Sequence, residues 1–310
     1  MKELRFDGRT AVVTGAGGNP SLGRAHAMLL AARGANVVVN DIGLVDPSLG
    51  YEDAASAEAV AEEIRAAGGN AVADTNSVAT EEGGAAIIQT ALDAFGSIDI
   101  LVNNAGICRV VSFEEQTLQD FRQIHEVNLM GTVHTCRAAW PHMKRQGYGR
   151  IVNVTSGSMT GCAWQSAYAS AKAAVFSLSR SLAAEGIEHG IKVNSMIPTA
   201  LTRMIYAAQH DDSPLIAEAK EHLPPEIVSP AVAFLAHEDV PFVGECIESI
   251  GGALKSFYVA RTPGFAVAEL TPEVLAERWQ EILAGAAEGL APHDEFDPRA
   301  WNPKPYIPSA

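Results

Sequence analysis

Tyr168 and Lys172 lie four residues apart in an alanine-rich stretch that is predicted to be helical, so both side chains leave the same helix face. A tyrosine phenol ordinarily titrates near pH 10, and a neighbouring ammonium in a partly desolvated site favours the phenolate. Proton exchange near pH 7 needs a pKa shift of about three units, roughly 4 kcal/mol, which such a neighbour can supply. The same spacing also occurs by chance as a solvated pair, so it indicates a proton-transferring site only together with other signals.

A glycine-rich segment, Thr14-Gly15-Ala16-Gly17-Gly18-Asn19-Pro20-Ser21-Leu22-Gly23-Arg24, lies between the first predicted strand and the first predicted helix. Backbone N–H groups and a helix N-terminus at such a turn can hold the diphosphate of a dinucleotide. Gly18 and Gly23 also have the spacing of a nucleoside-triphosphate-binding loop. Arg24-Ala25 follows where Lys-Ser/Thr is needed, which disfavours an NTPase.

The second predicted strand ends at Asp41, whose carboxylate can accept hydrogen bonds from an adenosine ribose and repel a 2′-phosphate. No basic residue lies between Ala16 and Leu22 to bind such a phosphate. NAD is therefore preferred over NADP as the cofactor. The alternative is a surface aspartate at a strand end, so Asp41 is informative only together with the turn.

These residues lie at the ends of elements that alternate along the chain. Short β-branched runs alternate with alanine-rich stretches, which indicates a parallel sheet covered by helices on both faces. Seven strands are predicted: Thr10–Thr14, Ala35–Asn40, Ala71–Ala73, Ile98–Asn103, Arg150–Thr155, Ile191–Ile197 and Cys246–Ile250. The predicted helices are Leu22–Arg33, Ala54–Ala67, Glu81–Phe95, Thr117–Gln146, Trp164–His189 and Pro225–His237. The fold class is thus α/β, a Rossmann-type, doubly wound, parallel seven-stranded sheet with a C-terminal helical extension.

Residues 1–255 are predicted to form the catalytic domain and residues 256–310 an extension packed on it or on a neighbouring subunit. Thr199–Pro224 reads as a long connection that contacts substrate. Thr271 as N-cap and Pro272 at the first helical position predict a helix to about Ala284. The proline-rich tail is either a strap that lies on a neighbour or a disordered segment, and the strap is favoured because Phe296, Trp301 and Tyr306 could anchor it.

Composition excludes several classes of protein. The 310 residues include 22 basic and 37 acidic side chains, a net charge of −15, which disfavours nucleic-acid phosphates and anionic lipid as partners. The four cysteines form no CxxC pair, so neither a disulfide framework nor a metal site is expected. No apolar run approaches the roughly 20 residues that span a bilayer, and the N-terminus has no apolar signal segment. A cytoplasmic location is expected.

Read together and in order, these motifs resemble the short-chain dehydrogenase/reductase family over Phe6–Gly252. Thr14-Gly15 through Gly23 resembles the family's TGxxxGxG turn, Asn103-Asn104-Ala105-Gly106 its NNAG segment, and Tyr168–Lys172 its YxxxK motif. Asn128 and Ser156 stand at the family's helix asparagine and serine. The resemblance implies hydride transfer between NAD and the carbinol carbon of an alcohol or its ketone.

The family's residue roles imply that Tyr168 exchanges a proton with the substrate oxygen while Ser156 orients that oxygen. Lys172 would bind the nicotinamide ribose and lower the tyrosine pKa, and Asn128 would hold a water that connects Lys172 to solvent. Asn128 could instead cap backbone groups at a helix kink. The implied cofactor contacts are Gly15, Gly17, Ser21, Leu22, Gly23, Asp41, Asn76, Ser77, Val78, Asn104, Ala105, Gly106, Tyr168, Lys172, Pro198, Thr199 and Thr202.

Two departures from the family pattern leave alternatives open. Asn19-Pro20-Ser21 stands where the family usually has one glycine, which puts the diphosphate contacts in doubt. The Ser156-to-Tyr168 spacing is one residue shorter than usual, so Thr155 and Ser158 compete with Ser156 as the substrate-binding hydroxyl.

Further segments carry a closer resemblance: Gln89-Thr90-Ala91-Leu92-Asp93-Ala94-Phe95-Gly96, Arg137-Ala138-Ala139-Trp140, His142-Met143-Lys144 and Leu270-Thr271-Pro272-Glu273 with Trp279. In these segments the sequence most resembles the hydroxyacyl-CoA dehydrogenase domain of the peroxisomal D-bifunctional protein and its free-standing bacterial relatives. This similarity suggests a 3-hydroxyacyl-CoA or hydroxysteroid substrate and a homodimer or homotetramer. A terpene alcohol dehydrogenase and a catalytically idle NAD-binding scaffold are the alternatives. The expected substrate-facing segments are Cys108–Val111, Gly161–Trp164 and Thr199–Pro224, with Arg109 and Arg203 as candidates for a CoA phosphate. The chain ends without a Ser-Lys-Leu signal, so a peroxisomal address is not expected.

Overall fold

The computed structural model describes residues 3–45, 55–204 and 219–285, and the backbone of residues 288–290. The chain divides into two compact units, Met1–Ser256 and Phe257–Ala310. Within the described residues, no helix combines the length and the apolar character needed to cross a membrane. The predicted tail anchors Phe296, Trp301 and Tyr306 lie outside the described part of the chain.

The first unit alternates strands and helices as the sequence predicts. Its strands are β1 (Thr10–Thr14), β2 (Asn36–Asn40), β3 (Asn70–Asp74), β4 (Ile100–Asn103), β5 (Gly149–Val154), β6 (Ile191–Thr199), β7 (Cys246–Ile250) and β8 (Ala253–Phe257). Its helices are α1 (Leu22–Ala32), α2 (Ala57–Ala66), α3 (Glu81–Phe95), α4 (Leu118–His125), α5 (Gly131–Gln146), α6 (Ser166–Gly186) and α7 (Ser229–Ala236). The second unit holds α8 (Pro272–Leu283) and an antiparallel pair of short strands, β9 (Val259–Arg261) and β10 (Glu288–Leu290).

The sheet has the strand order β3-β2-β1-β4-β5-β6-β7-β8. The first seven strands pair in parallel, with Val12 opposite Val38 on one side of β1 and opposite Leu101 on the other. The strand order reverses between β1 and β4, so the loops after these two strands diverge to opposite faces. A crevice opens there at the carboxyl ends of the strands, which is where ligands bind in open α/β sheets.

The eighth strand is one more than the sequence predicts. β8 follows β7 after Gly251 and Gly252, whose φ angles of 53° and 81° lie in the left-handed region that glycine adopts without strain. A two-residue link between neighbouring strands makes a hairpin, because parallel neighbours need a crossover of a dozen or more residues. β8 is therefore an antiparallel edge on a parallel sheet.

Three of the predicted helices are longer than the helices in the structure. The predicted helix Thr117–Gln146 is interrupted by a π-helical turn, Glu126–Met130, between α4 and α5. Trp164 has a φ of 63° and cannot be helical, so α6 starts at Ser166. Pro225–His237 divides into a 3₁₀ turn, Pro225–Ile227, and α7, which carries a proline in its first turn.

Both faces of the sheet are buried, as the continuous apolar strands predict. On β1, Ala11 and Val13 pack into a core with α1, α2 and α7, whereas Val12 points to the opposite core with α3, α5 and α6. All three side chains are 0% exposed. The central strand is thus fixed from both sides, and its last residue, Thr14, has a defined position at the crevice.

A buried polar network joins β4 and β5 to the helices on one face. Asn103 Nδ2 donates to Asn153 Oδ1 at 2.9 Å, and Asn153 Nδ2 donates to Ser179 Oγ on α6 at 2.9 Å. Thr135 on α5 donates to Asn103 Oδ1 at 2.6 Å. Each buried amide therefore has hydrogen-bond partners, which such groups require. The network fixes α5 and α6 relative to the ends of the two strands.

Replacing Ser179 by alanine should lower the free energy of unfolding by about 1–3 kcal/mol, because it leaves the buried Asn153 amide without its acceptor. Ser181→Ala is the matched control, since the exposed Ser181 hydroxyl donates to Ser177 O on the same helix and its loss should cost less than about 0.5 kcal/mol. Urea denaturation of both variants measures the difference. Equal loss in the two variants would contradict the role given to the network.

Candidate functional site

A cleft of about 1060 Å³ lies at the carboxyl ends of β1, β2, β4, β5 and β6. One part of its wall comes from the glycine-rich turn and the residues after β2. Another comes from the segment after β4, the end of β5 and the first turn of α6. The cleft therefore joins the predicted dinucleotide site to Tyr168 and Lys172.

Hydrogen bonds from Thr14 and Asn104 hold the glycine-rich turn against the segment after β4. Thr14 Oγ1 accepts from the backbone N–H groups of Asn104 and Ala105, each at 3.0 Å. In return, Asn104 Nδ2 donates to Thr14 O at 2.9 Å and to Gly15 O at 3.0 Å. The Asn104 side chain is thus occupied with backbone groups, and it shapes the cleft wall by holding the two loops together.

Two glycines in the turn are required by close backbone approach. Gly15 has a φ of 65°, and a Cβ there would lie 2.8 Å from Ala105 Cα. A Cβ on Gly23 would collide with Gly15 O and would lie 2.6 Å from Asn104 Nδ2. Neither neighbour can move without opening the wall, so the sequence pattern here reflects packing as well as ligand access.

The N-terminus of α1 opens into the cleft beside this turn. Ser21 is the N-cap, and its Oγ accepts from Arg24 N at 3.1 Å. The first turn of α1 contains no acidic residue, so the positive end of the helix dipole is not neutralised from within the helix. Such a helix start suits an anion such as a diphosphate.

Asp41 is held in place at the end of β2. Its Oδ2 accepts from Gly17 N and its Oδ1 accepts from Gly43 N, both at 2.9 Å. The carboxylate also lines the cleft. The same side chain therefore fixes the glycine-rich turn and presents a negative charge to a ligand in this part of the cleft.

The loop after β3 is organised by the buried Asp74. Asp74 Oδ1 accepts from Asn40 Nδ2 at 2.7 Å and from Asn76 N at 2.9 Å, and Asp74 Oδ2 accepts from Asn76 Nδ2 at 2.8 Å. The Asn76 side chain is thereby turned away from the cleft, whereas Ser77 and Val78 line it. Asn76 supports the wall from behind.

Lys172 is buried at the base of the cleft, one helical turn after Tyr168. Lys172 is 3% exposed, and its Nζ donates a hydrogen bond of 2.8 Å to Val154 O at the end of β5. Nζ lies 5.7 Å from the centroid of the half-buried Tyr168 ring. Burial lowers the pKa of Lys172 from 10.5 to about 8, partly opposed by the neighbouring Cys108. The predicted pair is brought together in a desolvated site.

The three candidate hydroxyls differ in their hydrogen bonds. Thr155 is 1% exposed and donates to Lys172 O at 2.9 Å, which anchors α6 to the end of β5. Ser158 donates to Gln165 Oε1 at 2.8 Å. Ser156 caps the 3₁₀ turn Gly157–Thr160 by accepting from Ser158 N at 3.2 Å, and among the described residues it donates to none. Of the three, Ser156 has the hydroxyl hydrogen most available to a ligand.

Asn128 is 1% exposed within the π-helical turn and does not line the cleft. Its Nδ2 donates to Ile107 O at 2.8 Å and its Oδ1 accepts from Ile107 N at 3.0 Å. The side chain therefore caps backbone groups at a break in the helix, the structural alternative in the sequence analysis. A Cβ on Gly106 would collide with Asn128 Oδ1 and lie 3.4 Å from Lys172 Nζ, so Gly106 allows these groups to approach.

The structure brings most of the predicted site residues to the cleft. The predicted residues that line it are Gly15, Ser21, Leu22, Asp41, Ser77, Val78, Asn104, Ala105, Gly106, Ser156, Tyr168, Lys172, Pro198, Thr199 and Thr202. Gly17, Gly23, Asn76 and Asn128 lie behind this wall and support it. The sequence did not predict several other lining residues, among them Ile42, Leu44, Ala79, Gln123, Glu126 and Gln165. These belong to loops and helix ends without a motif, and no sequence signal distinguished them.

Only some of the expected substrate-facing segments line the cleft. Cys108–Val111 and residues 199–204, apart from Leu201, line the cleft, whereas Gly161–Trp164 do not. Residues 205–218 of the connection lie outside the described part of the chain. Arg109 lies in the wall with its Nε 3.0 Å from Asp120 Oδ1, an ion pair that neutralises its charge. Burial raises the pKa of Cys108 to about 11, so this thiol stays protonated near pH 7.

These features fit a dinucleotide. The turn and α1 would hold its diphosphate, Asp41 its adenosine ribose, and Lys172 the ribose next to the reacting ring, which would bring that ring towards Tyr168. Among the described residues, no group of three or more His, Cys, Asp or Glu side chains is placed to hold a metal ion. The four cysteines are free thiols.

The buried ammonium predicts a pH dependence of stability. Between the folded pKa of Lys172, about 8, and its unfolded value of 10.5, the unfolded chain binds more protons, so this group makes unfolding less favourable as the pH rises. The free energy of unfolding of the unmutated protein relative to Lys172→Met should therefore increase by up to about 3 kcal/mol from pH 7 to pH 10. Guanidinium denaturation of both proteins across this range is the measurement. Parallel pH profiles would show that Lys172 is not desolvated.

Comparison with known proteins agrees with this geometry. The family model for short chain dehydrogenases matches residues 9–212. The chain is 42% identical to the peroxisomal multifunctional enzyme type 2 of Mus musculus, over 90% of this chain and 37% of that protein. It is also 42% identical to a putative short-chain type dehydrogenase/reductase of Mycobacterium tuberculosis, over 90% of this chain and 96% of that protein. The chain spans less than half of the mouse relative.

Solved structures of similar fold include a short chain dehydrogenase from Mycobacterium avium, with a TM-score of 0.77 and 34% identity, covering 92% of this chain and 97% of that one. A 7α-hydroxysteroid dehydrogenase in complex with NADH and 7-oxoglycochenodeoxycholic acid has a TM-score of 0.70 and 31% identity, covering 81% of this chain and 98% of that one. The resemblance seen in the sequence motifs is thereby confirmed. The strand order agrees with this family, and the glycine-rich turn and the Tyr168–Lys172 pair border one cleft. The chain therefore belongs to the short-chain dehydrogenase family of oxidoreductases that act on CH–OH groups.

Proposed function

We propose that this protein is an NAD-dependent dehydrogenase that interconverts a secondary alcohol and its ketone. The observation that carries the proposal is that Tyr168 and the buried Lys172 line the same cleft as the glycine-rich turn and the start of α1. A catalytically idle scaffold would need neither an ammonium 3% exposed at the base of the cleft nor a phenol beside it. Keeping a charged group desolvated costs free energy, which favours a role in chemistry.

In the oxidation direction, Tyr168 as a phenolate takes the proton of the substrate hydroxyl. A bound nicotinamide would supply the hydride acceptor, so that loss of a hydride from the carbinol carbon and of the hydroxyl proton would leave a ketone. Ser156 donates a hydrogen bond to the substrate oxygen and keeps it next to the Tyr168 oxygen. Lys172 stabilises the phenolate electrostatically because both groups lie out of bulk water. In the reduction direction, Tyr168 returns the proton to the oxygen.

The preference for NAD over NADP is supported by Asp41. Its carboxylate is fixed by Gly17 N and Gly43 N and lines the cleft, so a 2′-phosphate would approach a negative charge that cannot easily move away. Like charges placed together in a binding site cost several kcal/mol. The NADH named with the 7α-hydroxysteroid dehydrogenase structure supports the same nicotinamide chemistry.

An extended apolar substrate, such as a 3-hydroxyacyl-CoA or a hydroxysteroid, is supported by the apolar side chains Ile107, Val110, Val111, Val127 and Met204 on the cleft wall. Similarity to multifunctional enzymes type 2 favours the acyl-CoA, and similarity to the 7α-hydroxysteroid dehydrogenase favours the steroid. A terpene alcohol, a smaller molecule than either of these, is the alternative substrate. The homodimer or homotetramer and the cytoplasmic location stay predictions.

Replacing Tyr168 by phenylalanine should reduce kcat by at least about a hundredfold, because it removes the proton-transferring oxygen and leaves the ring. The dissociation constant for NADH should change by no more than a few-fold. The assay follows NADH formation with 3-hydroxyacyl-CoA thioesters of rising chain length and with hydroxysteroids. A kcat close to that of the unmutated protein would refute the mechanism.

The same assay identifies the substrate-binding hydroxyl. Ser156→Ala should also lower kcat by about a hundredfold, because it removes the hydroxyl that donates to the substrate oxygen. Ser158→Ala is the matched control, two residues away in the same turn, and should retain most of the activity because its hydroxyl is already bonded to Gln165. Loss of activity in the control alone would transfer the role to Ser158.

For the cofactor, NAD should bind at least about a hundredfold more tightly than NADP, and Asp41→Ala should narrow this ratio to about tenfold or less. Asp120→Ala, another carboxylate in the cleft wall, should leave the ratio unchanged. Calorimetric titration of each variant with both dinucleotides gives the ratios. Equal binding of the two cofactors to the unmutated protein would remove the argument from Asp41.

A further inference from the structure

The residues after β6 bring a cation to the glycine-rich turn, and we propose that Arg203 binds the diphosphate of the dinucleotide there. The inference rests on the NAD(H) binding proposed above. Arg203 lies outside the turn in the sequence, and the proposal assigns it to the diphosphate of the cofactor rather than to a phosphate of coenzyme A.

The first observation is the contact between Arg203 and Gly18. A Cβ built on the buried Gly18 would lie 2.5 Å from Arg203 Nη2, 2.8 Å from Nε and 2.9 Å from Cζ. The guanidinium therefore lies directly against the backbone of the turn, in space that a side chain at position 18 would fill. Arg203 also lines the cleft, so one side of the group contacts the turn while the residue borders the ligand space.

The second observation is the way the backbone of this segment is held. Arg203 N donates to Pro20 O at 3.4 Å, and Leu201 N donates to Leu223 O at 2.7 Å. Pro20 is one of the extra residues of the turn, Asn19-Pro20-Ser21, which depart from the family pattern. The longer turn supplies an acceptor that holds Arg203 beside it. The inserted residues and the arginine thus form one local feature of the cleft wall.

The third observation is the distribution of charge in the cleft. Its described lining contains three cationic residues, Lys172, Arg109 and Arg203, and three anionic residues, Asp41, Asp120 and Glu126. Lys172 lies beside Tyr168, and Arg109 is paired with Asp120. Of these three cations, Arg203 is the one that contacts the turn, where the charge of Asp41 opposes an anion. A planar guanidinium next to a helix N-terminus suits a diphosphate, because both present N–H donors to its oxygens.

The test measures ligand binding, not turnover. Arg203→Ala should lower the affinity of the protein for NADH and for ADP-ribose by about tenfold, because a charge-assisted hydrogen bond to the diphosphate is lost. Calorimetric titrations at low salt measure both affinities. Adenosine, which carries no phosphate, should bind the variant and the unmutated protein equally. Arg203→Lys keeps the charge and should lose less affinity than Arg203→Ala. Arg145→Ala, the same charge change at the exposed end of α5, is the control and should bind all three ligands normally.

Gly18→Ala gives an independent variant that moves the arginine without removing it. Its new methyl group would displace the guanidinium, the flexible end of a side chain, and should weaken NADH binding by itself. In the Arg203→Ala background the same substitution should have little further effect, since nothing remains to be displaced. Non-additivity in this double-mutant cycle supports a shared role, and full additivity would overturn it.

The remaining outcomes separate the inference from its premises. If the unmutated protein does not bind NADH, the proposed function fails and the inference fails with it. If the unmutated protein binds NADH and Arg203→Ala matches Arg145→Ala, only the inference fails. Loss of affinity for free coenzyme A with normal NADH binding would return Arg203 to the substrate, and equal loss for adenosine would show a packing role; either result overturns the proposal.

Discussion

Burying the Lys172 ammonium costs free energy, and the base of the cleft is arranged to offset that cost. The Lys172 ammonium donates to Val154 O, and Lys172 O accepts a hydrogen bond from the Thr155 hydroxyl. Both partners come from the end of β5, so the strand end and α6 are joined at this point twice. Gly106 leaves room on the other side, because any side chain there would meet the Asn128 amide and approach the ammonium. The position of Tyr168, one turn earlier on α6, follows from this arrangement.

The break between α4 and α5 belongs to the same constraint. An uninterrupted α-helix from Leu118 to Gln146 would place Asn128 differently, and the π-helical turn is where its amide reaches both backbone groups of Ile107. These two bonds hold the chain directly after Gly106, which borders Lys172. π-helical turns often occur at functional sites, and here the turn positions a loop rather than a ligand. A residue that never reaches the cleft therefore still decides the shape of its base.

The sequence was sufficient for features that depend on local pattern. Continuous apolar strands predicted a sheet buried on both faces, and the YxxxK spacing predicted one helix face for Tyr168 and Lys172. It was insufficient where a distant partner decides. A helix kink at Asn128 is one alternative that the sequence offers, yet nothing near Asn128 signals that Ile107 is its partner, so Thr117–Gln146 is predicted as one helix. Asn76 is a polar residue in an expected loop, yet Asp74 occupies its side chain. Ile42 and Leu44 carry no motif, so their place on the cleft wall could be known only from the fold.

Net charge and local charge lead to different conclusions about anions in this protein. A net charge of −15 disfavours long polyanions, whose attraction sums over a whole surface. A dinucleotide presents its charge at one place, and within a Debye length of about 8 Å at physiological salt only the nearest groups matter. At the glycine-rich turn those groups are the start of α1, free of acidic residues in its first turn, and the guanidinium against Gly18. Asp41 borders the same turn and opposes added phosphate groups. The balance of these few charges, and not the composition of the chain, supports the proposed preference for NAD, which carries a diphosphate, over NADP, which adds a third phosphate.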